Sequence, residues 1–297
     1  MGDIYAIITA LCWSSAVILF DVSSKKMDSF QLNVLKNFVG VFGFILTIII
    51  LSVPIPIFSQ HEIIILFFSG VIGVAIADLL FLDSLRRIGS GLSAVVATIY
   101  SPSIFIIAYL LFGEIVKLQS YIGGVLVITG IVIATYKLPQ IVKNNDLYIG
   151  IIFGVFAQIF NAYSVLLVVP IMENNPVIYI ALIRFSIGLI VTAAVLVYRS
   201  GIYGLFYTLK EGLGNTTILI AAILGTYLSV IFWLAGFKYT LAGRAAIYNQ
   251  LSTIFIIIMA VLFLKETMNV KKWIGITLSY LVAPNISIEC VADKLLF

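Results

Sequence analysis

Apolar residues recur in runs of about twenty along the whole chain, with short polar connections between them. A helix rising about 1.5 Å per residue needs roughly 20 apolar residues to cross a bilayer. The runs fall at about 4–22, 31–53, 62–83, 91–112, 119–137, 147–170, 177–198, 217–237, 242–264 and 271–288, which predicts ten transmembrane helices and an all-α membrane protein. Breakers fill the connections: Pro54 and Pro56, Gly89-Ser90-Gly91, Asn144-Asn145-Asp146, and Asn174-Asn175-Pro176. The longest connection, Gly201 to Gly214, has room for a surface helix.

Composition removes the alternatives. Apolar residues make up 62% and charged residues 10% of the chain, whereas a soluble surface needs roughly 25–35% charge. The net charge of +4 is spread thinly, without the basic stripe that nucleic acid requires. Cys12, Cys290 and the sole histidine, His61, form no metal-ligand spacing, so no metal or other cofactor is expected. The start, Met1-Gly2-Asp3-Ile4, puts no basic residue ahead of the first apolar run and reads as the first span, not a cleaved leader.

The chain repeats itself. At an offset of 152, Gly73 meets Gly225, Leu82 meets Leu234, Arg86 meets Lys238, Gly91 meets Gly243, Glu114 meets Glu266 and Gly123 meets Gly275. Between Gly73 and Glu114 there are 9 identities in 42 positions. At an offset of 148, Lys36 meets Arg184 and Gly40 meets Gly188. Two halves of five spans each follow, at 1–140 and 146–290, with a tail at 291–297. Five is odd, so the second half enters the membrane from the opposite side. That is an inverted repeat, an architecture of secondary transporters with the site between the halves near midplane.

Several stretches resemble the EamA family of the drug/metabolite transporter superfamily. They are Cys12-Trp13-Ser14-Ser15, Lys36-Asn37-Phe38 with Arg184-Phe185, and Leu85-Arg86-Arg87-Ile88-Gly89 with Phe237-Lys238-Tyr239. Phe112-Gly113-Glu114 and Leu264-Lys265-Glu266, followed by Tyr121-Ile122-Gly123-Gly124 and Trp273-Ile274-Gly275, complete the order. Departures are Asn161 in the place of a second-half Trp, Ser101-Pro102 where Glu-Pro is frequent, and Thr253-Ile254 without proline. The resemblance implies ten spans and carrier-mediated movement of small metabolites, often export of amino acids.

Ionisable residues inside spans are costly and mark function by default. Call the N-terminal side A and the other side B. Counting along the spans, Lys36 and Asp78 both lie roughly 8–10 Å in from side B, a matched pair suited to a gate or a proton link. Arg184 lies roughly 10 Å in from side A, and its repeat-related acid is missing, because Val230 stands where the first half has Asp78. Asn161, Asn249 and Gln250 come to its level. A guanidinium among amides is suited to bind a substrate carboxylate. Trp13, near midplane, and Tyr100 offer aromatic walls, while Tyr227 and Trp233 read as packing. No span bears paired carboxylates on one face and no His/Cys/Asp constellation exists, so an enzyme is not expected.

The expected partners are a small-molecule substrate and the lipid bilayer of the plasma membrane, with proton coupling through Lys36 and Asp78 and either a monomer or a homodimer. A multidrug exporter of lipophilic cations, using Asp78, and a non-transporting scaffold are the rival readings. Orientation divides the signals. Side B carries eleven basic residues outside the spans and side A four, which places side B in the cytoplasm, whereas the family resemblance implies cytoplasmic termini on side A.

Overall fold

The structure is a computed structural model that describes residues 2–113, 129, 144–240, 245, 248, 249 and 251–265. The described residues form helices and no strand: α1 (Gly2–Ser24), α2 (Ser29–Ile50), α3 (Gln60–Ala97), α4 (Tyr100–Phe112), α5 (Asn144–Asn174), α6 (Val177–Gly214), α7 (Thr216–Tyr239) and α8 (Leu251–Leu264). α1, α2, α3, α5, α6 and α7 are long and apolar enough to cross a bilayer, and α4 and α8 are shorter apolar helices. The expected spans at 119–137 and 271–288 fall outside the described residues, Thr129 apart, as does the tail at 291–297.

Polar residues at the ends fix where the helices start. Asp28 and Gln31 form a reciprocal capping box before α2, with Asp28 Oδ1 accepting from Gln31 N–H at 2.9 Å. Ser59 and Glu62 do the same before α3. Each box satisfies two backbone donors left free in the first turn. Two glycines turn the chain where the sequence placed loops. Gly89 (φ 72°, ψ 171°) breaks α3, so the third span ends at Ile88 and the fourth begins at Ser90. The Ser90 N–H donates to buried Asp21 Oδ2 at 2.8 Å, which caps the fourth span from α1. Gly201 (φ 72°, ψ 172°) breaks α6 in the same way.

The two halves pack by exchange. α1 packs on α7 and α3 on α5, while α2 packs on α6. Individual contacts obey the sequence offsets. A Cβ on Gly73 would collide with Ser164, and one on Gly225 would lie 2.8 Å from Ala16 Cβ. Ala16 and Ser164 are 148 apart, Gly73 and Gly225 are 152 apart. Likewise Gly40 faces Thr226 and Gly188 faces Val74. The apolar core is divided to match. One cluster joins Val17, Leu32, Leu82 and Leu85 to Ile218, Ile256 and Ala260. The other joins Val165, Ile180, Leu234 and Phe237 to Leu66, Ile104 and Ala108. Each of these named positions has its repeat mate in the other cluster, so each core is built from both halves.

One feature has no signature in the hydropathy pattern. Gly70–Ala77 of α3 is a π-helical segment, where Asp78 N–H reaches five residues back to Gly73 C=O. α7 has a second at Ile223–Leu228, closed by Ser229 N–H on Leu224 C=O. They fall at the same place in the two repeats. A wide turn leaves carbonyls short of main-chain donors, and π turns cluster at functional sites. In α3 the buried Asn33 amide takes up the slack, donating to Val74 O and Ala75 O at 3.3 and 3.2 Å.

Candidate functional site

A cavity of about 120 Å³ lies between the halves, beside both π segments. Trp13, Lys36, Asp78, Tyr100, Asn161, Arg184 and Asn249 all line it. The candidates chosen by depth in the sequence therefore converge on one space, and Gln250 lies outside the described residues. α1 brings Trp13, whose ring packs on Phe81 at 5.4 Å between centroids. α2 and α3 bring Lys36 and Asp78. α5 brings Asn161, α6 brings Arg184, and Asn249 stands just before α8.

Lys36 Nζ donates to Asp78 Oδ2 at 2.6 Å and to Asn37 Oδ1 at 2.8 Å. Asn37 Nδ2 in turn reaches Asn33 Oδ1 at 3.3 Å. A polar chain thus runs from the ion pair through two buried asparagines to the carbonyls freed by the π segment. The Lys36 side chain is 5% exposed and Asp78 15%. In so dry a setting the two charges hold one another, because removing either leaves an uncompensated ion.

Arg184 is otherwise placed. It is 1% exposed, the bulkiest of the fully buried side chains. Its Nη2 donates to Ser164 Oγ at 3.2 Å, and its guanidinium carbon stands 5.8 Å from the Trp233 ring centroid. Ser164 donates its own proton to Asn161 O at 3.0 Å, so its lone pairs are free to accept. Nε and Nη1 of Arg184 find no acceptor among the described residues, nor do the amide atoms of Asn249 find partners. A guanidinium carries five N–H donors, and here two of its nitrogens are buried without an acceptor among the described residues.

Sequence reasoning missed four contributors. Trp233, read as packing, lines the cavity against Arg184, and its repeat mate Phe81 lines it too. Gln158 and Ser229 add polar atoms to the wall. Trp233 sits five residues beyond the second π segment.

The model of the EamA-like transporter family matches residues 1–136 and again residues 148–283. The chain belongs to the EamA-like transporter family. Its two EamA matches coincide with the two halves that exchange contacts across the cavity. It is thus a multi-pass membrane protein of a family of transporters, not of enzymes, within the drug/metabolite transporter superfamily. The EamA fold is shared with a solved structure described as "Crystal structure of protein", at a TM-score of 0.68 and 12% identity, covering 99% of this chain and 98% of that one. No curated protein matches the chain.

Proposed function

We propose that the protein is a secondary carrier of small metabolites bearing a carboxylate, amino acids among them, with Arg184 as the anchor of that carboxylate. The carrying observation is that two nitrogens, Nε and Nη1, of a buried arginine lining a cavity have no acceptor among the described residues. A buried cation without an acceptor is expensive, and a substrate carboxylate supplies a charge-assisted fork. Asn161 and Asn249 bond the polar remainder, and Trp13 and Tyr100 give it a wall. About 120 Å³ is close to the volume of a cavity that holds a benzene-sized guest of about six non-hydrogen atoms, which suits a short-chain amino or hydroxy acid.

The charges favour an anionic group over a lipophilic cation. Lys36 neutralises Asp78 through Oδ2 at 2.6 Å, and Arg184 leaves one positive charge among the described cavity residues. The Lys36–Asp78 pair then serves as a proton-linked gate. In the proposed cycle the halves rock about the site by alternating access, and the direction is export across the plasma membrane.

The test is counterflow in proteoliposomes loaded with unlabelled amino acids, small carboxylates or lipophilic cations, with protein-free liposomes beside them. Accumulation driven by an internal carboxylate, abolished in Arg184→Ala and weakened in Arg184→Lys, is the expected result. Full substrate affinity in Arg184→Ala removes the anchor role. Counterflow of lipophilic cations alone transfers the site to Asp78. Absence of saturable flux from folded protein leaves the scaffold reading.

A further inference from the structure

The second leg of α6, beyond the Gly201 break, is a short helix ending at Gly214. It joins two membrane-crossing segments. The first leg of α6 leaves the bilayer just before Gly201. α7 enters it at Thr216, capped by Asn215 Oδ1 accepting from Thr217 N–H and Ile218 N–H at 3.2 and 3.4 Å. The leg therefore lies at the level of the membrane surface.

Its faces are graded. With Ile202 at zero and about 100° per residue, Thr208 and Gly212 share one face, and both are buried. A Cβ on Gly212 would collide with Leu35, so this face is pressed onto α2. On one flank Ile202, Phe206 and Leu213 fall within about 40° of one another and are 49%, 64% and 42% exposed. The next sector, at about 80–140°, holds Tyr203 at 86%, Tyr207 at 61% and Lys210. Glu211 follows at about 180°. The order around the helix is bundle, aliphatic and phenyl, tyrosine and ammonium, carboxylate.

That order is the depth profile of one bilayer leaflet read outward. Phenyl and aliphatic groups belong in acyl chains, tyrosines and lysines at the headgroups, a carboxylate in water. Tyr198, 92% exposed one turn ahead of the leg, extends the aromatic belt. Arg199, next to it, stacks over Phe30 of α2 at 4.3 Å and holds this corner to the bundle. A protein partner would impose no such gradient.

We infer that Ile202–Gly214 is an in-plane anchor seated in the phospholipid headgroup layer. Phe206 and Ile202 dip into acyl chains, Tyr203 and Tyr207 sit among glycerol esters, and Lys210 meets lipid phosphate. The inference needs only the membrane placement of the family and is independent of the substrate.

Site-directed spin labelling of the full chain in phosphatidylcholine and phosphatidylglycerol liposomes tests it. Cys12 and Cys290 are replaced by Ser, and single cysteines are placed at Phe206, Tyr203 and Glu211. The expected accessibility to oxygen over a water-soluble nickel chelate falls in the order Phe206, Tyr203, Glu211, with oxygen favoured at Phe206 and nickel at Glu211. Equal nickel access at all three overturns the inference, because the helix then stands in water. Protection of Phe206 from both reagents also overturns it, because protein, such as a second copy, then covers that flank. A Phe206→Trp variant separates the same outcomes without a label, since brominated acyl chains quench its added fluorescence only if the flank is in lipid.

Discussion

Ser164 fills the space that a side chain at Gly73 would need. A Cβ there would collide with the Ser164 hydroxyl and lie 3.2 Å from Arg184 Nη2. Its repeat mate, Gly225, meets Ala16 at 2.8 Å and a Phe20 ring carbon at 2.9 Å, with no polar group in that contact. One crossing of the fold is thus used twice, once for packing alone and once for packing plus a guanidinium.

Gly73→Ala and Gly225→Ala therefore separate the two uses. Overpacking costs each variant about 1–3 kcal/mol, read as a lower denaturation midpoint in detergent. Gly73→Ala alone also displaces the Arg184 shelf. Its KM for a carboxylate substrate rises roughly tenfold, the equivalent of one lost hydrogen bond to a charged group. Gly225→Ala, whose added Cβ meets Ala16 and Phe20, raises KM less. Equal KM values in the two variants contradict the placement of the substrate at Arg184.

The Lys36–Asp78 pair predicts non-additivity. Lys36→Met or Asp78→Leu alone strands a buried partner and costs about 3–5 kcal/mol. The double variant recovers most of that loss, since an apolar pair of similar volume replaces the ions. Thermal unfolding of the four proteins gives the cycle. Transport by the double variant that keeps its proton dependence removes the pair from proton coupling.

Asn33 spans α2 and the first π segment. Asn33→Ala leaves the carbonyls of Val74 and Ala75 without its two donors. The expected loss is about 1–3 kcal/mol, with faster amide exchange across Gly70–Ala77 than in wild type. Unchanged exchange there shows that the segment holds its own hydrogen bonds.

Gly201→Ala tests strain without a clash. Adjoining backbone apart, no atom of the described residues lies within 4 Å of the added Cβ, yet φ is 72° and ψ 172°, a region almost reserved for glycine that costs other residues about 1–3 kcal/mol. A lower denaturation midpoint is expected. Wild-type stability would mean that the leg beyond Gly201 re-forms in line with the first.

Much of this is legible in the sequence, for a physical reason. A membrane forces each span to satisfy its backbone internally, so counting residues converts directly into depth. Depth alone matches Lys36 with Asp78 and sets Arg184 apart from a carboxylate. The offsets of 148 and 152 carry the halves, because close helix crossings need small residues at both copies. Direction around the helix is harder. Trp233 reads as packing, because depth counted along a span carries no direction around the helix. Ser164 is invisible because its worth comes from a glycine on another helix.

The paired π segments carry a surplus residue that α3 and α7 have not spent. An ordinary helix cannot twist in place without breaking bonds along its whole length. A wide turn can travel, handing its extra residue to the next turn one hydrogen bond at a time. Each such step turns only the residue it passes, by about 100°. In α3 the residues next in line begin with Asp78, and in α7 they include Val230 and Trp233. Two of the helices around the cavity thus each hold a built-in swivel, and Asn33 is the catch on one of them.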